Sequence, residues 1–209
     1  MTTMPVERRR NLWLELFILG ELMDAPHHGY QLRDILTRML GPYRRISWAT
    51  LYPLIHQLEQ AGFIAASHES GGERPPSEEG PTQGETAPNM RRPQRYRLTE
   101  SGRERFFALL RAQDAYTSEY REVFTIKLLY LHFLEPDQQR ALLTHGREYF
   151  VRQRDHTRHV FTAASTTAHL SPEEREPIFR MNRFRLTSVE AEIRWIDEEL
   201  ARLESVQSS

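Results

Sequence analysis

Arginine is the side chain with most chemistry to offer in this 209-residue sequence: of 28 basic residues, 27 are arginine, Lys127 being the exception. They gather in short runs. Arg8, Arg9 and Arg10 stand near the start, Arg44 and Arg45 precede an apolar stretch, and Arg91, Arg92, Arg95 and Arg97 follow a Gly- and Pro-rich segment. A guanidinium offers a fixed charge and a planar fork of N–H donors that matches phosphate, so such runs are the footprint expected of a polyanion partner. The whole-chain net charge of −1 has no such signal, and any one arginine alone is equally well a solvated surface charge. Nine histidines raise the question of a metal. His156 and His159 are one helical turn apart with His145 about three turns before, but Asp155 is next door rather than on their face, and no carboxylate completes a set. A surface histidine pair is the better reading, and no metal is expected. The absence of cysteine rules out disulfides, thiolate chemistry and Cys-ligated zinc, and suits a reducing cytoplasm. No glycine-rich phosphate loop, nucleophile elbow or paired-acid arrangement stands out, so neither a catalytic site nor a cofactor is expected.

The element placed to work with these charges runs from Ser47 to Ile64, SWATLYPLIHQLEQAGFI. Leu51, Leu54, Ile55 and Leu58 fall at i, i+3, i+4 and i+7, one stripe that must face a core. At about 100° per residue, Ala49, Tyr52, Pro53, His56, Gln57 and Gln60 lie around the opposite side, with no acid before Glu59. Such a face suits the major groove, where an acidic one would be repelled by phosphate; a surface helix of an ordinary bundle is the plain alternative. Pro53 allows two helix starts. With Thr50 as N-cap it occupies the third helical position, where an N–H lacks an intrahelical partner anyway; with Ser47 as N-cap it removes one internal bond. Either way the helix start is stiffened where a recognition helix makes its contacts.

Around this helix the periodicity predicts one helix from Asn11 to Asp24 and another from about Tyr30 to Leu40, stopped by Gly41-Pro42. FIAASHES can start as a strand and QRYRLT alternates as one; between them Gly71 to Asn89 is too polar and too rich in Gly and Pro to bury apolar area, and reads as a flexible loop. Helix, helix, helix, strand, long loop, strand is the order of a winged helix-turn-helix. Thr99 then caps a predicted long helix through Phe106, Leu110, Tyr120, Phe124 and Leu131 to Glu135-Pro136, and an amphipathic helix follows from about Asp137 to Ala164. Ser171-Pro172-Glu173-Glu174 is a capping box that opens a last helix. In it Phe179, Asn182, Leu186, Val189, Ile193, Ile196, Leu200 and Leu203 alternate steps of three and four, a heptad seam. The seam covers either a helix of the same chain or a second copy, and the second is the expectation. The expected fold class is mainly α, with a winged helix-turn-helix domain over 1–105, a wing insert at about 69–92, and a helical dimerisation domain over 106–209.

Three stretches, LELFILGELMDAPHHGYQLRDIL, SWATLYPLIHQLEQAGFI and RYRLTESGRERF, resemble the PadR family of bacterial transcription regulators. The resemblance rests on the L-x-L-x-x-L-G of Leu14 to Gly20, His28-Gly29-Tyr30, Thr50-Leu51-Tyr52-Pro53, the Leu58-Glu59-x-x-Gly62 exit, and the Tyr-x-Leu-Thr-x-x-Gly of Tyr96 to Gly102. It covers about residues 12 to 105, and the helical second half is similar to the larger, AphA-like subgroup with an extended C-terminal domain. The resemblance implies binding of double-stranded DNA at a pseudo-palindromic operator as a homodimer, usually in repression. It implies that Tyr52 and its helix-three neighbours meet DNA while the second wing strand touches the backbone. The candidate DNA-binding residues are therefore Ser47, Trp48, Ala49, Thr50, Tyr52, Pro53 and His56, with Arg44, Arg45, Arg91, Arg92, Arg95 and Arg97 toward phosphate. There are two departures. Ala49 stands where the family usually has Gly, and the wing carries an insertion in which Glu69 to Asn89 hold five Glu against one Arg, so its tip would be repelled by phosphate.

Trp13, Phe17, Tyr116, Tyr120 and Phe124, with Phe133 and Trp195, are many aromatics for helices near a domain junction. As core they need no further account; as a pocket they would take a small aromatic effector, in line with the family. No apolar run approaches the roughly 18 residues of a membrane helix, and Glu15 and Glu21 interrupt the apolar start, so no signal peptide is expected and the localisation is read as cytoplasmic. The rival function is a winged-helix module that recruits protein while the acidic insert blocks DNA, or an activator without small-molecule control.

Overall fold

Helix α1 (Leu12–Asp24) is apolar on most sides and is enclosed accordingly, with Leu14, Phe17, Ile18 and Leu19 fully buried. It opens a computed structural model that describes residues 12–41, 46–67, 94–166 and 171–207. The chain divides into two compact units, Met1–Ala112 and Gln113–Ser209.

In the first unit α1 is followed by strand β1 (His27–His28), helix α2 (Gly29–Leu40), helix α3 (Trp48–Gln60), strands β2 (Ile64–Ser67) and β3 (Arg95–Leu98), and helix α4 (Glu100–Arg111). The sheet order is β1-β3-β2, both pairs antiparallel. The two expected strands are therefore joined by a third: His27 and His28 pair with Tyr96 and Arg95, and this pair of histidines closes the wing. Gly62 ends the turn after α3 at φ +74°, a left-handed conformation that favours glycine. Thr99 fastens the far end of the wing. Its hydroxyl accepts from the Gly102 N–H at 3.0 Å, capping α4, and lies 2.6 and 2.9 Å from the Gly62 and Phe63 carbonyl oxygens. Gly102 is needed for close approach, since a Cβ there would lie 1.9 Å from the Phe63 carbonyl oxygen. Helix α4 then packs on α1, joined by an Arg105–Glu15 ion pair at 2.8 Å.

The single long helix expected from Thr99 to Leu131 does not form. α4 ends at Arg111, Ala112 is extended, and helix α5 begins only at Tyr120 and ends at Leu129. The intervening segment is held by partners that local periodicity does not reveal. The Asp114 carboxylate meets Lys127 Nζ at 2.5 Å, and the Asp114 carbonyl lies 2.9 Å from His145 Nε2. A 3-10 turn (Leu131–Phe133) leads into helix α6 (Pro136–Thr166), and helix α7 (Pro172–Gln207) packs against α6. The capping box at its start is formed: the Ser171 N–H donates to Glu174 Oε2 at 2.8 Å and the Glu174 N–H to Ser171 Oγ at 3.3 Å.

The seam of α7 corrects the expectation that it would cover a second copy. Val189, Ile193 and Ile196 are buried within one chain against Leu143, Tyr149 and Phe150 of α6 and Tyr120 and Phe124 of α5, and Leu200 and Leu203 pack on the same cluster. Phe179 lies 4.7 Å from Phe161 between ring centroids, Leu186 is half-buried, and buried Asn182 donates its amide to the Ile178 carbonyl of its own helix. The aromatic rings of α5 supply the area that two long helices alone would lack. No helix among the described residues is long and apolar enough to cross a membrane.

Candidate nucleic-acid interface

Helix α3 is set by its apolar stripe, with Leu51, Leu54, Ile55 and Leu58 all buried. Ser47 is its N-cap: Ser47 Oγ accepts the Thr50 N–H at 3.2 Å, and the two hydroxyls lie 3.0 Å apart. Of the two starts the sequence allowed, this is the one in which Pro53 stands inside the helix and its missing N–H deletes one bond. Ser47, Ala49, Thr50, Pro53, His56, Gln57 and Gln60 are exposed, and Trp48 and Tyr52 are half-exposed beside them. The outward side is therefore polar and aromatic. Its carboxylate, Glu59, lies 3.7 Å from His56 Nδ1, while the other histidine nitrogen lies 3.0 Å from the Gln60 amide. The free N–H groups of the helix start add positive potential at this end.

Two aromatic residues shape that start. The Trp48 and Tyr52 rings stack with centroids 4.8 Å apart and planes 22° apart, and Tyr52 lies against Gly29 at the start of α2. Burial pushes the Tyr52 pKa up, opposed by the nearby Arg33 charge. The phenol is thus kept neutral, able to donate and to accept. Arg33 of α2 places its guanidinium carbon 4.1 Å from the Trp48 ring centroid. Neither the pairing nor Arg33 itself is found by sequence spacing, because it joins two helices across a turn.

In the wing, strand alternation separates the arginines from the core. Tyr96 is buried, Arg97 is exposed opposite Ala65, and Arg95 is half-exposed opposite Ser67. Burial raises the Tyr96 pKa, and the nearby Glu59 charge acts in the same direction. Arg44, Arg45, Arg91 and Arg92, the arginines at 8–10, and the whole insert at 69–92 lie outside the described residues.

The capped helix and its outward polar face lie within a stretch that matches a known family. The model of the transcriptional regulator PadR-like family matches residues 18–79, from within α1 through α3 and β2. Over that stretch the chain is similar to the PadR-like family. Members of that family regulate transcription rather than catalyse a reaction. No protein with a curated description matches this chain. Among solved structures it is similar to Bacillus subtilis PadR in complex with operator DNA, at 17% identity over 91% of this chain and 98% of that one, with a TM-score of 0.39. The same protein in complex with p-coumaric acid matches at 17% identity over 92% and 99%, TM-score 0.37. The Vibrio cholerae virulence activator AphA matches at 20% identity over 92% and 99%, TM-score 0.35.

The residues expected at an effector pocket fall in both units of the chain. Trp13 and Phe17 are buried in α1. Tyr116, Tyr120 and Phe124 belong to the second unit, where Tyr120 stands edge-on to Tyr116 at 5.0 Å and 4.4 Å from Tyr149, and His145 stacks on Tyr116 at 4.8 Å. The Tyr116 hydroxyl donates to the His145 carbonyl at 3.1 Å. Burial raises the Tyr120 pKa above the usual phenol range. Among the described residues no group of His, Asp and Glu is arranged to hold a metal ion.

Proposed function

We propose that this PadR-like chain is a DNA-binding repressor that recognises a pseudo-palindromic operator as a homodimer and is released by a small aromatic effector. The observation that carries the DNA reading is the outward face of α3. Its first three turns present Thr50, Tyr52 and His56 with no carboxylate before Glu59, above a buried stripe of Leu51, Leu54, Ile55 and Leu58. Such a helix start fits the major groove, and Arg95 and Arg97 on the adjoining strand suit the flanking phosphates. Repression is the outcome the family resemblance implies. The aromatic and histidine cluster of the second unit, Tyr116, Tyr120, His145 and Tyr149, is the ground offered for an effector of planar aromatic chemistry.

The second copy has a surface available to it. On the side of α7 away from the seam, Met181, Phe184 and Trp195 are exposed, Phe184 by 73%. Two copies pairing antiparallel would set Phe184 of one copy near Trp195 of the other, with small Ser188 and Ala191 at the crossing.

Electrophoretic shift with a duplex from the region upstream of the chain's own gene, against a shuffled duplex of equal length, tests the reading. A preference for the upstream duplex that weakens with salt is expected. Equal binding to both, or none at low salt with and without aromatic acids, sinks it.

A further inference from the structure

We infer that Arg33 is a phosphate-binding residue and that Trp48 is the platform positioning it, an assignment that rests on the DNA-binding reading above. Arg33 lies on α2, the helix that in a helix-turn-helix crosses the DNA backbone while its successor enters the groove. Its guanidinium carbon stands 4.1 Å from the centre of the Trp48 ring, well inside the roughly 6 Å reach of a cation–π contact. Trp48 is the first residue of α3, and Ser47 caps the helix beside it. The cation is thus held next to the helix end that Thr50 and Tyr52 present.

Among the described residues no carboxylate pairs with Arg33, and the neighbouring Asp34 is engaged by Arg38 at 2.7 Å. A guanidinium held by a ring face keeps its N–H donors for an oxygen acceptor, and Arg suits a phosphate by its planar fork. The ring also restricts a side chain that would otherwise lose much rotamer freedom on binding. The same indole stacks on Tyr52, so one platform sets both a groove-facing phenol and a backbone-facing cation. A phosphate contact positions without reading sequence, and this separates Arg33 from Tyr52 by experiment.

The test is an anisotropy titration of the upstream duplex and a shuffled duplex from about 50 to 200 mM salt, with the wild type, R33Q, R33K, W48A and the double variant R33Q/W48A. R33Q is expected to weaken both duplexes by the same factor and to flatten the log–log salt slope by about one unit. R33K keeps the slope while losing affinity, since lysine keeps the charge without the planar stack. On the shuffled duplex, W48A is expected to cost several-fold in the wild type and much less in the R33Q background, because the two residues act as one unit. Circular dichroism melts matching the wild type show that each variant is folded. An R33Q slope equal to that of a DNA-binding wild type overturns the phosphate assignment alone, and a W48A cost unchanged by R33Q overturns the platform role. A wild type that binds neither duplex overturns the DNA reading, and this assignment with it.

Discussion

Tyr52 is the residue at which recognition and architecture meet. It is fixed from two sides, by the Trp48 ring and by Gly29, and burial keeps its phenol protonated. If it reads a base edge, Y52A weakens binding to the specific duplex by about 1–3 kcal/mol while leaving the shuffled duplex nearly unaffected. Y52F isolates the share due to the hydroxyl. Titration of both duplexes checks this, and an unchanged specific affinity removes Tyr52 from the contacts. Gly102 shows the limits of a motif at the same scale. Its place in Tyr-x-Leu-Thr-x-x-Gly is legible in the sequence, but the reason is spatial: helix α4 passes so close to the Phe63 carbonyl that no Cβ fits.

Helix α7 is apolar on two sides, and each makes a different prediction. Ile193 is buried in the seam within one chain, so I193D is expected to cost about 3 kcal/mol or more and to unfold the second unit. Phe184 is 73% exposed, so F184E is expected to leave the far-ultraviolet spectrum and melt intact while light scattering shows monomers. A folded, dimeric F184E protein moves the dimer surface away from this face. The heptad spacing was legible because a stripe that must be covered leaves a period; what covers it left no trace, since spacing is blind to α5 folding back over α6. The helices of the first unit and the outward positions of α3 were likewise legible from period alone. Strand β1 was not, because two residues have no period, and His27 and His28 are a strand only by pairing with β3. Nor was the break after Arg111, where no Gly or Pro interrupts the run and the cause is Lys127 and His145 reaching Asp114 from elsewhere in the chain.

At the scale of the whole molecule, the stretch just past the first unit is secured by a buried charge. Lys127 is almost fully enclosed against Asp114, and burial outweighs the attraction of that carboxylate to push the lysine pKa below its ordinary 10.5. K127M leaves the Asp114 charge uncompensated and is expected to cost about 3 kcal/mol in denaturant melts, with D114N/K127M recovering most of it. The folded chain holds this proton more weakly than the unfolded chain does. Stability due to Lys127 therefore rises with pH from the lowered value to 10.5, so the difference between wild type and K127M grows across that interval. A difference that shrinks with pH contradicts the assignment. At the wing, Ser67 pairs with Arg95, so the ladder itself holds both ends of the insert together. Closing a longer loop costs only about 0.6 kcal/mol per doubling, and a chain lacking residues 71–89 is expected to melt with stability raised by no more than about 1 kcal/mol. The length of the insert therefore weighs little on the stability of the strands that flank it. Insertions or deletions within residues 71–89 are accordingly expected to leave the melting curve of the rest of the chain nearly in place.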